Sequence, residues 1–151
     1  MEVRLFVLEV RFLEGGSIII VNPMEIKQYD IFLGNKIIGF TYFEKADAPM
    51  GTVFGMINFI NIDSGYDFFK EYCMEKNFEL IANFKAERLL STGTIIDLKI
   101  RDENGFEIKS SGNQIDGMDS EGFEIILFGI EYPLFEQEFP HHVKAYKDLF
   151  K

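Results

Sequence analysis

Apolar and polar residues alternate over several stretches of the first sixty residues, and this period of two is typical of strands with one buried face. The pattern predicts strands at residues 6–12, 18–21, 29–33, 36–43 and 52–60. Gly15-Gly16 and Gly34-Asn35 supply two turns, the second suited to a type II′ hairpin, and Asn22-Pro23 is expected to end the second strand. Residues 46–51 are expected to form a loop, and Gly55 to mark a bulge or a close backbone approach. This part of the chain is predicted to be an antiparallel meander.

The pattern changes to a helical period after residue 63. Ser64 can cap a helix, Asp67 follows three residues later, and apolar residues recur at helical spacing, which predicts a helix over residues 64–76. Further strands are expected at residues 78–84, 94–100, 106–109 and 123–130, with a hairpin turn at 102–105 and no clear preference at 88–90. Residues 110–122 are rich in glycine, serine and acids and are predicted to be a long loop. An acidic helical turn is expected after Pro133. Pro140 is expected to begin a terminal helix with Val143, Tyr146 and Phe150 on one face.

Composition favours the same fold class. The 151 residues include 17 Phe and 6 Tyr but no Trp, and 47% of the chain is hydrophobic. Aromatic and β-branched residues suit pleated, half-buried strands. The prediction is therefore an α+β fold, mainly one antiparallel β-sheet system (meander, sandwich or half-barrel) with about two helices packed on it. Neither a linker nor a repeat divides the chain, so residues 1–151 are expected to form a single globular domain.

The same sequence bears on the compartment. Cys73 is the one cysteine, so no internal disulfide can form. Charged residues interrupt the N-terminal apolar stretch where a signal peptide would need an uncharged run. The longest apolar runs are four residues, far short of the roughly 20 that a membrane-spanning helix needs. We expect a cytoplasmic protein without a membrane partner.

Charge is unevenly placed along the chain. The formal net charge is −10, and residues 102–138 hold ten acids against one base, Lys109. Such a segment repels the phosphates of nucleic acids, so direct nucleic-acid binding is disfavoured and a basic protein partner is favoured. The alternative is that these acids form a solvated surface that keeps the protein in solution. The acids are Asp102, Glu103, Glu107, Asp116, Asp119, Glu121, Glu124, Glu131, Glu136 and Glu138.

No complete motif for catalysis or metal binding occurs in the sequence. His141 and His142 are adjacent, whereas a zinc-binding pair on a helix is spaced i, i+4. Cys73 among aromatic residues suits a small buried hydrophobe, and the acids near Gly117 do not match the spacing of an EF-hand loop. A glycosidase-like carboxylate pair stays open, but the sequence cannot show its spacing in a cleft. Phosphate-binding, dinucleotide and nucleophile-elbow motifs are absent from the sequence, so we expect no enzyme, no cofactor and no metal site.

In size and charge the whole chain resembles the small acidic immunity proteins with which bacteria neutralise toxins of contact-dependent growth inhibition and colicin-like systems, although no family motif carries the resemblance. It implies an inhibitor that masks the active site of a basic, nuclease-type toxin with an acidic surface. The residues expected to contact the partner are Asp116, Asp119, Glu121 and Glu124, followed by Asp102, Glu103 and Glu107. Two alternatives stay open: a small-ligand-binding β-barrel or sandwich, and a non-catalytic adaptor subunit of a larger assembly.

Overall fold

The structure is a computed structural model that describes the backbone of residues 5–12 and 18–151 and the side chains of residues 26–151. It contains antiparallel sheets together with three helices, so the predicted α+β class is confirmed. The helices are α1 (Gly65–Lys76), α2 (Leu134–Glu138) and α3 (Pro140–Asp148). The predicted helix at 64–76 and the terminal helix from Pro140 are both present.

Two strands near the N-terminus pair with each other. They are β1 (Leu5–Phe12) and β2 (Ile18–Ile26), which confirms the strands predicted at 6–12 and 18–21. The prediction that Asn22-Pro23 ends the second strand is wrong, because β2 continues to Ile26. The register shifts between Val7 and Glu9, opposite this dipeptide, and an irregular ladder can accommodate a residue that has no N–H to donate. The turn predicted at Gly15-Gly16 lies outside the described residues.

The second sheet has four strands in the order β10-β3-β4-β7. They are β3 (Tyr29–Leu33), β4 (Lys36–Thr41), β7 (Asn58–Phe59) and β10 (Leu98–Arg101). The β3–β4 hairpin confirms the turn predicted at Gly34-Asn35, where Gly34 has a φ of 63°. The strand predicted at 94–100 is shorter than expected. The strand predicted at 106–109 is reduced to one bridge between Arg101 and Glu107.

The third sheet has six strands in the order β5-β6-β12-β11-β9-β8. They are β5 (Lys45–Asp47), β6 (Thr52–Met56), β8 (Leu80–Phe84), β9 (Leu89–Thr92), β11 (Gly112–Met118) and β12 (Gly122–Phe128). The strand predicted at 52–60 is divided, because β6 belongs to this sheet and β7 to the four-stranded one. The loop predicted at 46–51 instead holds the end of β5 and a 3-10 turn, Ala48–Met50. Residues 88–90, without a clear preference in the sequence, lead into β9.

The prediction of a long loop at 110–122 is wrong, because β11 occupies most of it. Its sequence holds two glycines and three polar residues, which carry little strand preference of their own. The backbone of β11 pairs with β12 along its whole length and with β9 over three residues. Pairing with β12 and β9 therefore stabilises β11 as a strand, although its side chains do not favour one.

Side chains from both larger sheets meet in one hydrophobic core with Tyr66, Phe69 and Cys73 of α1. Gly55 on β6 confirms the predicted close approach, since a Cβ there would overlap the Thr41 hydroxyl and come within 3.0 Å of the Phe43 backbone. This packing sets the inner face of the six-stranded sheet. We call the opposite side of this sheet the outer face, and we call the β11–β12 hairpin (residues 112–128) the acidic hairpin.

Candidate functional site

Two predicted acids lie directly opposite each other on the β11–β12 hairpin. Asp116 pairs with Glu124 in the antiparallel register, so both side chains point to the outer face. On its other side Asp116 pairs with Ser91 of β9, and the structure gives its carboxylate no ion pair among the described residues. Like charges in this arrangement repel each other and weaken the strand pair. The hairpin therefore displays a concentrated negative charge on an exposed surface.

Glu124 and Glu121 differ in their surroundings. The carboxylate of Glu124 lies 3.7 Å from the Lys45 ammonium, and its side chain is 32% exposed. This long, partly solvated ion pair offsets little of the repulsion from Asp116. Glu121 lies in the turn between β11 and β12 and is exposed. Asp116, Glu121 and Glu124 thus lie exposed or partly exposed on one hairpin, and Asp119 lies in the same turn as Glu121.

Apolar side chains flank these acids on the outer face, and sequence reasoning missed them. Met56 of β6 pairs with Glu124 on the side away from Asp116, and Phe54 pairs with Ile126. Met56 and Phe128 are 38% and 37% exposed. Their alternation within strands was visible in the sequence, but finding their position beside the acids required the strand order. A partly exposed apolar surface beside charges is typical of protein-binding sites.

Asp119, also predicted to bind a partner, is committed to the N-terminus of α1. Its carboxylate accepts hydrogen bonds from the backbone N–H of Tyr66 at 3.0 Å and the hydroxyl of Ser64 at 2.7 Å. The guanidinium of Arg88 is a third donor at 2.7 Å. Burial of the carboxyl opposes its ionisation, but these three donors outweigh that effect and hold the pKa of Asp119 below its usual range. Asp119 is therefore a structural residue in the free protein.

Arg88 completes this network from the turn between β8 and β9. Its guanidinium also contacts Asp67 at 2.6 Å and the Ser64 hydroxyl at 2.8 Å, and it lies over the ring of Tyr66. The Ser64 hydroxyl accepts the N–H of Asp67 and so caps α1, as predicted. The Arg88 backbone has a φ of 53°, a left-handed conformation that ordinary residues seldom adopt. Sequence reasoning gave no signal for this residue.

The remaining three acids follow β10 of the four-stranded sheet. The carboxylate of Asp102 accepts the N–H groups of Asn104 and Phe106, both at 2.9 Å, and shapes the turn. Glu103 is exposed. Glu107 lies 3.8 Å from the Lys99 ammonium and is partly buried. The structure therefore places the seven predicted residues in two groups on different sheets.

The histidine pair and the cysteine considered in the sequence analysis make contacts that are typical of structural residues. Nε2 of His142 donates to the carbonyl oxygen of Phe43 at 2.7 Å, and the His141 ring contacts the His142 ring at a tilt of 42° with ring centres 4.1 Å apart. Cys73 is buried, and this burial raises the pKa of its thiol to about 11. Among residues whose side chains are described, no group of three His, Cys, Asp or Glu residues is placed to hold a metal ion.

Two open surface depressions lie beside the segment before β11. Their volumes are about 400 and 350 Å³, and they share Lys109, Ser110 and Ser111. Small-molecule sites usually enclose most of the ligand in a mainly apolar cavity. These depressions are wide and open rather than enclosed, so they do not add support to the ligand-binding alternative.

No helix within the described residues has the length and apolar character needed to cross a membrane. A scan against protein-family models finds no match, and searches of curated proteins and of solved structures find no significant match either.

Proposed function

We propose that this chain is a non-catalytic inhibitor that binds a basic protein, in the manner of a bacterial immunity protein that masks the active site of a nuclease-type toxin. The observation that carries the proposal is the pair of facing carboxylates, Asp116 and Glu124, on the outer face of the six-stranded sheet. Folding alone does not favour this arrangement, because like charges directly opposite each other destabilise a strand pair. A cationic partner would turn this unfavourable pair into a favourable contact.

The surroundings of the pair support a protein partner rather than a small cation. Met56 and Phe128 leave more than a third of their residue surface in water on the same face. Protein interfaces combine an apolar centre with charged groups that select the partner and speed its approach. A nuclease binds phosphates through lysines and arginines, so its substrate cleft would present the complementary charge.

The proposal assigns different roles to the predicted acids. Asp116, Glu121 and Glu124 are the direct contacts because they are exposed or partly exposed on one hairpin. Asp119 lies in the turn of that hairpin and anchors it through hydrogen bonds from Ser64, Tyr66 and Arg88. Asp102, Glu103 and Glu107 contribute long-range attraction from the other sheet.

The test begins with affinity capture from the source cells and identification of the partner by mass spectrometry. Association of the purified partner is then measured at two salt concentrations for the wild type and for the double variant Asp116→Lys/Glu124→Lys. We expect the association rate of the wild type to fall with salt and that of the variant to be lower by at least about tenfold.

The matched control is Glu71→Lys/Glu75→Lys, which changes the net charge equally on the exposed surface of α1. If both double variants slow association to the same extent, net charge rather than the hairpin is responsible. A captured partner without a basic surface would contradict the proposed function itself.

A further inference from the structure

Helix α3 carries a second apolar surface besides the one that packs on the core. Val143 is buried and His142 is hydrogen-bonded to Phe43, which fixes the inner side of the helix. The predicted single face of Val143, Tyr146 and Phe150 is not buried as a unit, because Tyr146 and Phe150 are exposed. Their rings contact each other with centres 5.1 Å apart.

An open groove of about 400 Å³ runs along this second surface, between α3 and the segment formed by β5 and the 3-10 turn. Leu149 in its wall is 76% exposed, and Met50 at the end of the turn is 68% exposed. Removing such side chains from water is favourable, so the groove suits an apolar occupant. Its apolar lining consists of Ala46, Ala48, Pro49, Ala145, Tyr146 and Leu149.

The two N-terminal strands have the composition of such an occupant. Six of the eight residues of β1 and six of the nine residues of β2 are Leu, Ile, Val, Phe or Met. In their antiparallel register Val10 lies opposite Ile20, and Phe12 lies opposite Ile18. The two strands form a sheet of their own, and a two-stranded sheet alone is at best marginally stable in water. This N-terminal strand pair therefore needs a further apolar surface on which to pack.

The N-terminal strand pair is joined to the rest of the chain beside the first turn of α3. Strand β2 ends at Ile26, and the next residue, Lys27, forms an ion pair with Glu138 at 3.4 Å. Glu138 also accepts a hydrogen bond from the Tyr29 hydroxyl at 2.7 Å, and it lies two residues before the start of α3. After partial burial and the charge of His142, the charge of Lys27 contributes to lowering the pKa of His141. The end of β2 is thus held next to α3.

The groove begins at this same end of α3. His142 lines the groove, and its ring contacts that of His141 with centres 4.1 Å apart. From His142 to Leu149 the groove follows about 10 Å of helix. Strand β2 has nine residues and spans about 30 Å when extended. From its fixed point at Lys27 the N-terminal strand pair is therefore long enough to cover the whole groove.

We infer that the N-terminal strand pair packs on the groove beside α3 of the same chain. Each of the two surfaces is apolar, and the anchored residue Lys27 brings them together. Because Lys27 follows β2 directly, no long loop has to be closed and the entropic cost of packing within one chain is small. This inference is independent of the proposed function, which uses the Asp116–Glu124 pair of the acidic hairpin.

A spin label in the groove tests the inference by NMR of the full chain. Ala145 lines the groove, and Cys73 is buried, so a label on Ala145→Cys attaches to the new thiol alone. We expect it to broaden the amide signals of β1 and β2, whereas a label on Glu75→Cys of α1 should leave them sharp. Signals of β1 and β2 that stay sharp with the Ala145→Cys label overturn the inference. Equal broadening by both labels also overturns it, because the strand pair then has no preferred position.

A mixing experiment separates packing within the chain from docking of a second copy. Isotope-labelled chain without a spin label is mixed with spin-labelled chain that carries no isotope label. We expect the amide signals of β1 and β2 to stay sharp in this mixture. Broadening as strong as in the singly prepared Ala145→Cys protein would show that the groove receives another copy, and it would overturn the inference.

A substitution in the groove should release the strand pair. Leu149→Asp should accelerate amide hydrogen exchange of residues 5–12 and 18–26 by at least about tenfold, because it places a charge in the apolar groove. The fold should persist, since Leu149 is mostly exposed. Met74→Asp is the matched control, because Met74 is similarly exposed but lies on α1. Equal exchange rates in Leu149→Asp and Met74→Asp would contradict the inference.

Discussion

The guanidinium of Arg88 lies 2.7 Å from a carboxylate oxygen of Asp119, and this contact joins two turns of the six-stranded sheet at the N-terminus of α1. The backbone N–H of Asp119 in turn donates to the carbonyl oxygen of Arg88 at 3.2 Å. The tip of the acidic hairpin is thus held against α1. A hairpin ordered before binding loses less conformational freedom when a partner docks, which favours affinity.

Replacing Asp119 should destabilise the fold. We expect Asp119→Asn to lower the free energy of unfolding by about 1 to 3 kcal/mol, because an amide cannot accept all three hydrogen bonds and the substitution removes one of the two carboxylates that pair with Arg88, leaving Asp67. Urea unfolding of the variant and the wild type measures the difference. Asp116→Asn is the matched control, since that carboxylate has no described partner to lose.

The effect of Asp119 should depend on pH in a defined direction. Its pKa is lowered in the folded state, so the unfolded chain binds a proton at higher pH than the folded chain does. The stabilisation is present above the unfolded pKa of about 3.9 and is lost as pH falls through the lower folded value. The difference between wild type and Asp119→Asn should therefore shrink in acid. A difference that stays constant down to pH 2 would show that the carboxylate charge is not what stabilises.

His141 should also make the protein sensitive to acid, at a higher pH than Asp119 does. Partial burial of the ring, followed by the charges of His142 and Lys27, lowers the pKa of His141 to about 4. The unfolded chain, with an ordinary histidine pKa near 6.5, takes up the proton first, so stability falls as pH drops from about 6.5 toward 4. His141→Gln should flatten this part of the stability curve. Identical pH slopes for the variant and the wild type would contradict the assignment.

The sequence predicted those elements whose own residues favour the structure that they adopt, and it did not predict those that depend on distant strands. The α1 boundaries came from Ser64 and from local helical spacing, and the β3–β4 turn came from Gly34-Asn35. Strand β11 could not be predicted, because its stability comes from pairing with β9 and β12 rather than from residues such as Asn113, whose own strand preference is low.

The candidate site shows the same division. The charge count identified Asp116 and Glu124, but their direct opposition depends on register, which one residue of slippage would abolish. The charge count also selected Asp119, whose partners Ser64 and Arg88 are 55 and 31 residues away in sequence. Separating a structural acid from a binding acid required the three-dimensional contacts.

The close approach at Gly55 gives a prediction about packing. A Cβ at this position would overlap the Thr41 hydroxyl and press on the Phe43 backbone, so Gly55→Ala must shift β4 or β6. We expect a loss of about 1 to 3 kcal/mol, as for other insertions into a packed core. Gly34→Ala is the comparison, because Gly34 has a positive φ but open space around it. Its cost should come from backbone strain alone, about 1 kcal/mol. Thermal unfolding of both variants measures the contrast.

The facing carboxylates predict that binding and stability respond to mutation in opposite directions. Asp116→Lys removes the repulsion from Glu124 and replaces it with a cross-strand ion pair, so the free energy of unfolding should rise by about 0.5 kcal/mol. The gain should diminish in high salt, because the interaction is solvent-exposed and screened. Urea unfolding at about 0.02 M salt, where screening is weak, and at about 0.5 M salt, where it is strong, measures both effects.

The control for this experiment is Glu71→Lys, which makes the same charge change on the exposed surface of α1 and reports the effect of net charge alone. If Asp116→Lys stabilises more than Glu71→Lys while weakening association with a basic partner, then the strand pair retains Asp116 at the expense of stability, as expected for a binding residue. If Asp116→Lys is no more stable than the wild type at low salt, the two carboxylates do not repel each other measurably. The main physical argument for a binding role of this hairpin would then be lost.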